Sequence, residues 1–244
     1  MTQTNPIKTC FIILLVLAAT ASLAIRAVFF ALFNQVKRPW VDKSLHDWTI
    51  KVLKLIKLDY KVFNPHKVTP KKNQPTMIVC NHTSHFDIPL SFAAFPHSSI
   101  RMLAKKELAK IPFFGRAMQV AEFPIVDRHN KQTAIQNLQR VKSLMQSGIV
   151  VWIAPEGTRS KTGELGTFKK GAFITAIEAG ATIIPIGIKG ANSILAAKSL
   201  KLNLNQRAEI HIGKPISATK YTLEEKDKLV NEVSESMLKL LTVG

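Results

Sequence analysis

His82 and Asp87, which have four residues between them, form the first group in this sequence that could do chemistry. A histidine whose ring is held by a carboxylate has a fixed tautomer and can act as a general base. On an ideal helix this offset turns through about 500°, so the two side chains meet only if the chain turns between them. Ser84 as an N-cap and Asp87 as an acid in the first helical turn predict such a turn. A purely structural strand-to-helix turn is the competing interpretation.

A second polar loop follows the apolar run Ile149–Ala154, which is too short for a helix and predicts a buried strand. The loop carries Glu156, Arg159 and Lys161, and Gly157 gives its backbone the freedom to turn tightly. A guanidinium donates two parallel charge-assisted hydrogen bonds, which suits the recognition of a phosphate.

Lys105 and Arg128 lie at the ends of other predicted elements and could bring positive charge to the same pocket. The competing interpretation treats each basic residue as a solvated surface charge, which is common in a chain this basic. Arg159, Lys105 and Arg128 are nevertheless three basic residues at the ends of elements, near a candidate base. This arrangement favours a site for an anionic group.

Short apolar runs alternate with helical patterns between residues 77 and 188, which is typical of an α/β protein. We therefore expect a layered core, with a mixed, largely parallel sheet flanked by helices. A capping box at Thr222–Glu225 predicts a C-terminal helix that ends near Leu241. The predicted strands are residues 77–80, 100–103, 149–154, 182–188 and 208–212.

The composition restricts the class of partner. Lys and Arg total 34 against 16 acidic residues, a net charge of +18 that predicts an anionic partner. Cys10 and Cys80 are the only cysteines, too few for a disulfide framework or a zinc knuckle. The sequence contains no nucleic-acid recognition motif, so we expect an anionic membrane surface or a phosphate-bearing substrate rather than a nucleic acid.

The N-terminal region is strongly apolar, with no charge between residues 10 and 25 before Arg26 interrupts the pattern. A cleaved signal peptide, a single membrane span and a partly immersed helix with Arg26 reaching the headgroups are the three interpretations. Basic residues follow densely while only Lys8 precedes, which favours an uncleaved anchor with the rest of the chain in the cytoplasm. Residues 1–58 are expected to be this membrane-association segment and residues 59–244 the α/β domain.

The ordered motifs carry a family resemblance. Asn81–Asp87 resembles the His-x4-Asp motif of the glycerolipid acyltransferases, and Pro155–Ser160 resembles their second hallmark. Weaker similarities occur at residues 125–128 and 184–186, and residues 104–115 are similar to the family's connecting segment. The best match is to the 1-acylglycerol-3-phosphate (lysophosphatidic acid) acyltransferases. One departure is Glu122-Phe123-Pro124, where the family often has a glycine shortly before its Asp-Arg pair.

The resemblance implies transfer of a fatty acyl group from acyl-CoA or acyl-carrier protein to the free sn-2 hydroxyl of 1-acylglycerol-3-phosphate, which gives phosphatidic acid. His82 would accept the hydroxyl proton, and Asp87 would orient the imidazole and stabilise the imidazolium. Because the thioester is already activated, neither a metal nor another cofactor is required.

The resemblance also implies the roles of the remaining site residues. Arg159, with Lys105 and Arg128, would hold the acceptor phosphate. Glu156 would position the acceptor or fix Arg159, and Gly157 and Thr158 complete the loop. His85 is the rival candidate for the base.

Two alternatives to this function stay open. The same chemistry could serve another acceptor, such as glycerol-3-phosphate or a different lyso-lipid. A basic membrane-binding or nucleic-acid-binding module without catalysis would leave the pairing of His82 with Asp87 unexplained.

Overall fold

The computed structural model describes residues 6–127 and 131–242, and it describes side chains for residues 7–127 and 137–242. In this part of the chain a mixed sheet of seven strands is flanked by helices, with a separate two-stranded sheet beside it. The strands are β1 (Asp59–Phe63), β2 (Thr76–Cys80), β3 (Ile100–Met102), β4 (Ala104–Lys105), β5 (Ile125–Val126), β6 (Val150–Ile153), β7 (Thr182–Lys189), β8 (Arg207–Ile212) and β9 (Ile216–Ser217). The α-helices are α1 (Pro6–Leu32), α2 (Arg38–Leu55), α3 (Asp87–Ala94), α4 (Lys106–Ala109), α5 (Phe114–Val120), α6 (Lys131–Gln146), α7 (Gly171–Glu178), α8 (Ala191–Ile194) and α9 (Lys226–Thr242).

The large sheet has the order β1-β8-β7-β2-β6-β3, with β9 paired to β7. β2 lies between β6 and β7 and is parallel to both, β3 is parallel to β6, and β1 is parallel to β8. Only the pairs of β7 with β8 and β9 are antiparallel among the described residues. The predicted fold class, a mixed and largely parallel sheet flanked by helices, is confirmed.

Burial explains why the central strands could be read from the sequence. Every residue of β2 and of β6 is buried, because helices cover both faces of the sheet. On one face Ile78 and Trp152 pack in a cluster with residues of α2 and α3, and on the other Met77 and Val151 pack in a cluster with α6, α7 and α9. Strands buried on both faces become continuous apolar runs, as in the sequence.

The two N-terminal helices pack differently on the domain. Helix α2 buries Val52 and Leu53 in the same cluster as the central strands, and Ile56, the residue after the helix, joins them there. Helix α1 contacts α2 and α5, and its Thr20 hydroxyl accepts a hydrogen bond from Trp48 Nε1 at 3.0 Å. Residues 7–32 form one helix that is long and apolar enough to cross a membrane, with a mean hydropathy of 2.4.

The sequence predicts the starts of two further helices. One of these predictions is wrong, and the other concerns a residue outside the described part of the chain. The capping box at Thr222 does not open α9 directly: the Glu225 carboxylate accepts from Thr222 N at 3.3 Å within a turn, and the helix begins at Lys226. The sequence also predicts Asn130 as the cap of a helix that runs to about Gln146, and Asn130 lies outside the described residues.

Candidate active site

The candidate site lies where the parallel strands β2 and β6 end side by side. Val79 pairs with Ile153 in this register, so the loops that follow both strands emerge at one edge of the sheet. The loops contact each other directly, since Ser160 N donates to His82 O at 2.7 Å.

Asn81 fixes the start of the first loop. Its side-chain Nδ2 donates to Ile188 O at 2.9 Å, and its Oδ1 accepts from Ile188 N at 2.8 Å. The amide side chain thereby replaces the next rung of the sheet between β2 and β7. The backbone that leads into His82 is consequently anchored to β7.

His82 and Asp87 form the predicted pair. His82 Nδ1 lies 2.9 Å from Asp87 Oδ2, and the Asp87 side chain is fully buried while that of His82 is 16% exposed. An ionised carboxylate only accepts hydrogen bonds, so Nδ1 carries the proton and Nε2 is the unprotonated nitrogen of the neutral ring. Nε2 has no partner among the residues that the structure describes, which leaves it available as a base.

The same carboxylate oxygen holds the loop in its turn. Asp87 Oδ2 also accepts from Thr83 N at 2.7 Å and from Ser84 N at 2.8 Å. The prediction that Ser84 is an N-cap is wrong, because α3 begins at Asp87 and its N-cap is Phe86. Ser84 Oγ instead donates to Leu195 O at 2.8 Å. Asp87 therefore serves the turn and the histidine with one oxygen.

Trp152 of β6, the strand next to β2, packs against the ring of His82. Its ring lies edge-on to that of His82, with 5.9 Å between centroids, and its Nε1 donates to Ser91 Oγ at 2.9 Å. Ser91 Oγ in turn donates to Asp87 O at 2.7 Å. The imidazole is thus held by a carboxylate on one side and by an aromatic wall on another.

Cys80, which ends β2, does not supply a nucleophile. Burial, reinforced by the negative charge of Asp87, raises the pKa of the thiol well above its usual value. The thiol therefore stays protonated at neutral pH and acts as a small apolar side chain in the core.

Glu156 links the second loop to the first and forms no ion pair with Arg159 among the described contacts. Its Oε1 accepts from His82 N at 3.0 Å, and its Oε2 accepts from Gly166 N at 2.9 Å. The residue is only 8% exposed. Both oxygens are therefore engaged with backbone amides, and Glu156 fixes the position of His82.

Arg159 is the predicted basic residue that lies near His85, and the next residue, Ser160, bonds to His82 O. Arg159 forms no hydrogen bond or ion pair with a residue in the described ranges, yet its charge acts on His85. Although the His85 ring stays in contact with solvent, desolvation, followed by the positive charge of Arg159, lowers its pKa. A guanidinium that has no partner among the described residues can bind an anionic group.

The remaining predicted site residues are placed less closely. Lys105 is exposed and pairs with Val126 in the two-stranded sheet, so its backbone lies close to Asp127. Arg128 lies outside the described residues. Gly157 has a φ of +76°, which accounts for glycine at this turn, and Thr158 is exposed. Their roles toward a substrate stay predictions.

His85 does not take the place of His82. Asp87 bonds to the ring of His82, and the described contacts include no hydrogen bond to the His85 ring. The hydrogen bond to Asp87 therefore distinguishes His82 from His85, and the role of His82 as the base stays a prediction.

Sequence reasoning missed Asn81, Ser91 and Trp152 as supports of the site. Asn81 directly precedes the histidine, which was a signal, but its partner on β7 is 107 residues away. Trp152 fits the apolar pattern of its strand and could not be distinguished from an ordinary core residue. In the described part of the chain, no group of three or more His, Cys, Asp or Glu side chains could hold a metal ion.

The fold and the site define a class of protein: an α/β domain with a hydrogen-bonded histidine–aspartate pair at the end of a central strand, and an arginine in the adjoining loop that has no partner in the described part of the chain. A family model described as acyltransferase matches residues 60–189, which is more than half of the chain, and the chain belongs to this acyltransferase family.

Several curated proteins are similar in sequence. The chloroplastic 1-acyl-sn-glycerol-3-phosphate acyltransferase of Arabidopsis thaliana is 33% identical over 172 residues, which cover 69% of this chain and 46% of that protein. The 1-acyl-sn-glycerol-3-phosphate acyltransferase of Saccharomyces cerevisiae is 31% identical over 205 residues, which cover 83% of this chain and 65% of that protein. The chain spans about half the length of the chloroplast relatives it matches.

A solved structure shares the fold. The crystal structure of the 1-acyl-sn-glycerophosphate (LPA) acyltransferase PlsC from Thermotoga maritima matches with a TM-score of 0.77 at 22% identity, and the match covers 96% of this chain and 93% of that one.

Proposed function

We propose that this chain transfers a fatty acyl group from acyl-CoA or acyl-carrier protein to the free sn-2 hydroxyl of 1-acylglycerol-3-phosphate, which gives phosphatidic acid. The observation that carries the proposal is the bond between His82 Nδ1 and Asp87 Oδ2, which leaves Nε2 without a partner among the described residues. Arg159, which also has no described partner, lies in the loop that contacts His82 through Ser160 N. The names of the similar proteins from plants and yeast support the choice of acceptor.

The proposed reaction uses His82 as a general base. Nε2 accepts the proton of the acceptor hydroxyl while the hydroxyl oxygen attacks the thioester carbonyl, and the buried Asp87 carboxylate stabilises the imidazolium that forms. The tetrahedral intermediate then collapses, and the thiolate leaves with the proton that the imidazolium returns. A positioned base contributes about 10²–10⁴-fold in rate, which suits a hydroxyl that is a weak nucleophile at neutral pH.

The acceptor phosphate would be bound by basic residues at the neighbouring loop ends. Arg159 is the first of these because its guanidinium has no described partner, and Lys105 and Arg128 join it in the proposal. The expectation that Glu156 contacts the acceptor is not favoured, since both of its carboxylate oxygens accept from backbone amides.

A membrane position for α1 completes the proposal. One face of α1 packs on the domain near both ends, with Ile12 and Ala27 buried. A helix held along its length lies against the domain, which favours in-plane immersion over a span. Arg26 lies 5.9 Å from the Trp40 ring, where a snorkelling cation and an interfacial tryptophan are expected. The opposite face exposes large apolar side chains: Ile7, Phe11, Leu14, Leu17, Ile25, Phe29 and Leu32.

We place the active site on the cytoplasmic side, because basic residues follow α1 densely and attract the anionic inner leaflet by about 1 kcal/mol each. No metal or other cofactor enters the proposed reaction.

The experiment is an acyl-transfer assay of the purified full-length chain. It offers acyl-CoA and acyl-carrier protein as donors against lysophosphatidic acid, glycerol-3-phosphate and other lyso-lipids as acceptors. We expect acylation of lysophosphatidic acid and its loss in His82→Ala with an unchanged melting temperature. Transfer only to another acceptor would change the proposed substrate, and no transfer to any acceptor would refute the enzyme.

A further inference from the structure

The turn between α4 and α5 has a backbone that its residues do not favour. Phe114 N donates to Pro112 O at 2.6 Å, which closes a γ-turn, and the central residue Phe113 has φ +59° and ψ −46°. A positive φ is a strained conformation for a bulky residue, and this kind of γ-turn is rare. Phenylalanine at this position therefore calls for a reason other than backbone geometry.

The strained turn exposes its apolar side chains to solvent. Phe113 is 61% exposed and Ile111 is 47% exposed, and Pro112 between them is exposed as well. Lys110 and Arg116 flank the turn and are also exposed. An apolar tip between two cations has the composition of a segment that enters an anionic lipid surface.

The turn lies next to the C-terminal half of α1. Phe114, the next residue, packs with Ala24 and Ala27 of α1. The same half of α1 exposes Ile25 and Phe29, by 53% and 55%. The apolar tip therefore lies beside the helix that the proposed function already places in the membrane.

We propose that the Ile111–Phe113 turn is a second membrane-contacting element, which inserts into the headgroup region of an anionic bilayer beside α1. This inference rests on the membrane position of α1 in the proposed function. It names a partner, a lipid surface with negative charge, for a segment that the catalytic site does not use. In this proposal the Phe113 side chain, which is exposed to solvent in the isolated chain, packs against lipid when the protein is bound to the membrane.

Hydrogen bonds hold the Ile111–Phe113 turn in a fixed shape, which we call the wedge. Gly115 N donates to Ile111 O at 2.8 Å and Ala117 N donates to Phe113 O at 2.8 Å. A Cβ atom at Gly115 would lie 2.0 Å from Ala109 O, so the two short helices close tightly on each other. A rigid tip loses little conformational freedom on insertion. Because α4 follows Lys105 directly, the depth of the wedge would also set the height of Lys105 above the lipid.

The first test is Phe113→Gly, measured by sedimentation with vesicles of phosphatidylcholine containing phosphatidylglycerol. Glycine relieves the positive φ, so we expect the melting temperature to stay unchanged or rise. Removing the exposed ring should lower the vesicle partition coefficient about tenfold to a hundredfold. Leu200→Gly is the matched control, an 87% exposed apolar residue outside α1 and the turn, and should not change partition. A fall in melting temperature with unchanged partition would overturn the inference.

The second test reports depth and does not require a loss of function. Single cysteines are placed at Phe113, Ile25 or Leu200 in a Cys10→Ser chain, since Cys80 is buried, and are labelled with an environment-sensitive fluorophore. Brominated lipids should quench the labels at Phe113 and Ile25, more strongly in anionic than in zwitterionic vesicles, and should leave the label at Leu200 unquenched.

The outcomes separate this inference from the proposed function. Quenching at Ile25 without quenching at Phe113 would refute the turn alone. Quenching at neither position would refute the membrane position on which it rests. Acyl transfer to detergent-dispersed lysophosphatidic acid is measured on the same samples, and its absence would refute the proposed reaction whatever the quenching shows.

Discussion

Replacing Glu156 by glutamine separates a structural role of this carboxylate from a role in binding substrate. Its two oxygens accept from His82 N at 3.0 Å and from Gly166 N at 2.9 Å. A glutamine side chain has one acceptor oxygen and one amide group that only donates. One of the two backbone N–H groups must therefore face a donor, whichever way the new amide is turned.

The size of the effect follows from these two bonds. A hydrogen bond to a charged acceptor contributes about 1.5–3 kcal/mol, and Glu156 is buried, so water does not replace the lost partner. For a chain of this length, 1 kcal/mol shifts the melting temperature by about 2–4 °C. We expect Glu156→Gln to lower the melting temperature by about 3–12 °C, and Glu156→Ala, which frees both N–H groups, to lower it further.

Catalysis should fall for the same geometric reason. The affected N–H belongs to His82, and a displacement of about 1 Å at a reacting group can cost about 10²-fold. In the proposed acyl transfer we expect Glu156→Gln to lower kcat about 10–10²-fold while the KM for lysophosphatidic acid changes less than about twofold. Thermal unfolding followed by circular dichroism and steady-state kinetics on one preparation measure both effects.

The control is Glu164→Gln, which neutralises an exposed acid in the same loop and should change neither quantity. A raised KM for the acceptor with an unchanged melting temperature would show that Glu156 contacts substrate. That result would refute the assignment of Glu156 to the backbone of the loops.

The other site residues give three further predictions. Asp87→Asn should lower kcat about 10³–10⁴-fold in the acyl-transfer assay, because the imidazolium loses its buried counter-charge; a loss below tenfold would contradict this role. Arg159→Ala should raise the KM for the phosphate-bearing acceptor about tenfold or more, whereas Lys161→Ala, an exposed neighbour, should not; equal effects would point to a general charge effect. The pKa of His85 is lowered in the folded state, so the unfolded chain binds the proton more readily and stability falls as the pH drops through about 6.5 toward the folded pKa. His85→Gln should therefore show a smaller loss of melting temperature between pH 7.5 and 5.5 than the parent chain, and an identical loss would contradict the shift.

Local sequence was sufficient for the central pair and for the strands that carry it. His82 and Asp87 are close in the chain, so one turn brings them together, and the motif itself indicates the turn. The buried strands appear as short apolar runs because both faces of the sheet are covered. Alternation of strands and helices then limits the fold to a layered α/β arrangement.

Contacts between distant residues could not be predicted in the same way. Glu156 and His82 are separated by 74 residues, and nothing local shows that a glutamate beside an arginine accepts from a backbone amide instead. Ser84 has the residue type of an N-cap, but Asp87 takes both nearby amides and the helix starts later. Propensity describes what a residue can do, and tertiary contacts decide between the options.

Glu122 shows how a departure from a family pattern is accommodated by a contact elsewhere. It occupies φ +63°, a left-handed conformation that suits the glycine often found near this position. Both of its carboxylate oxygens accept from Arg38 at the start of α2, at 2.7 and 2.8 Å, and the hydrogen bond to Arg38 lowers the pKa of Glu122. The charged pair is therefore present at neutral pH and is lost only in acid, below the ordinary glutamate pKa.

Arg38 is the first residue of the helix that follows α1, and Glu122 lies in the turn that leads to β5. Because β5 pairs with β4, the same turn also fixes Lys105, a proposed ligand of the acceptor phosphate. A glycine at this position would leave the turn free of the N-terminal helices. Glutamate ties them together at a cost in backbone strain of about 1–3 kcal/mol, offset in part by its two-point contact with Arg38. In the proposed function, the height of Lys105 above the membrane surface is thereby coupled to the N-terminal helices.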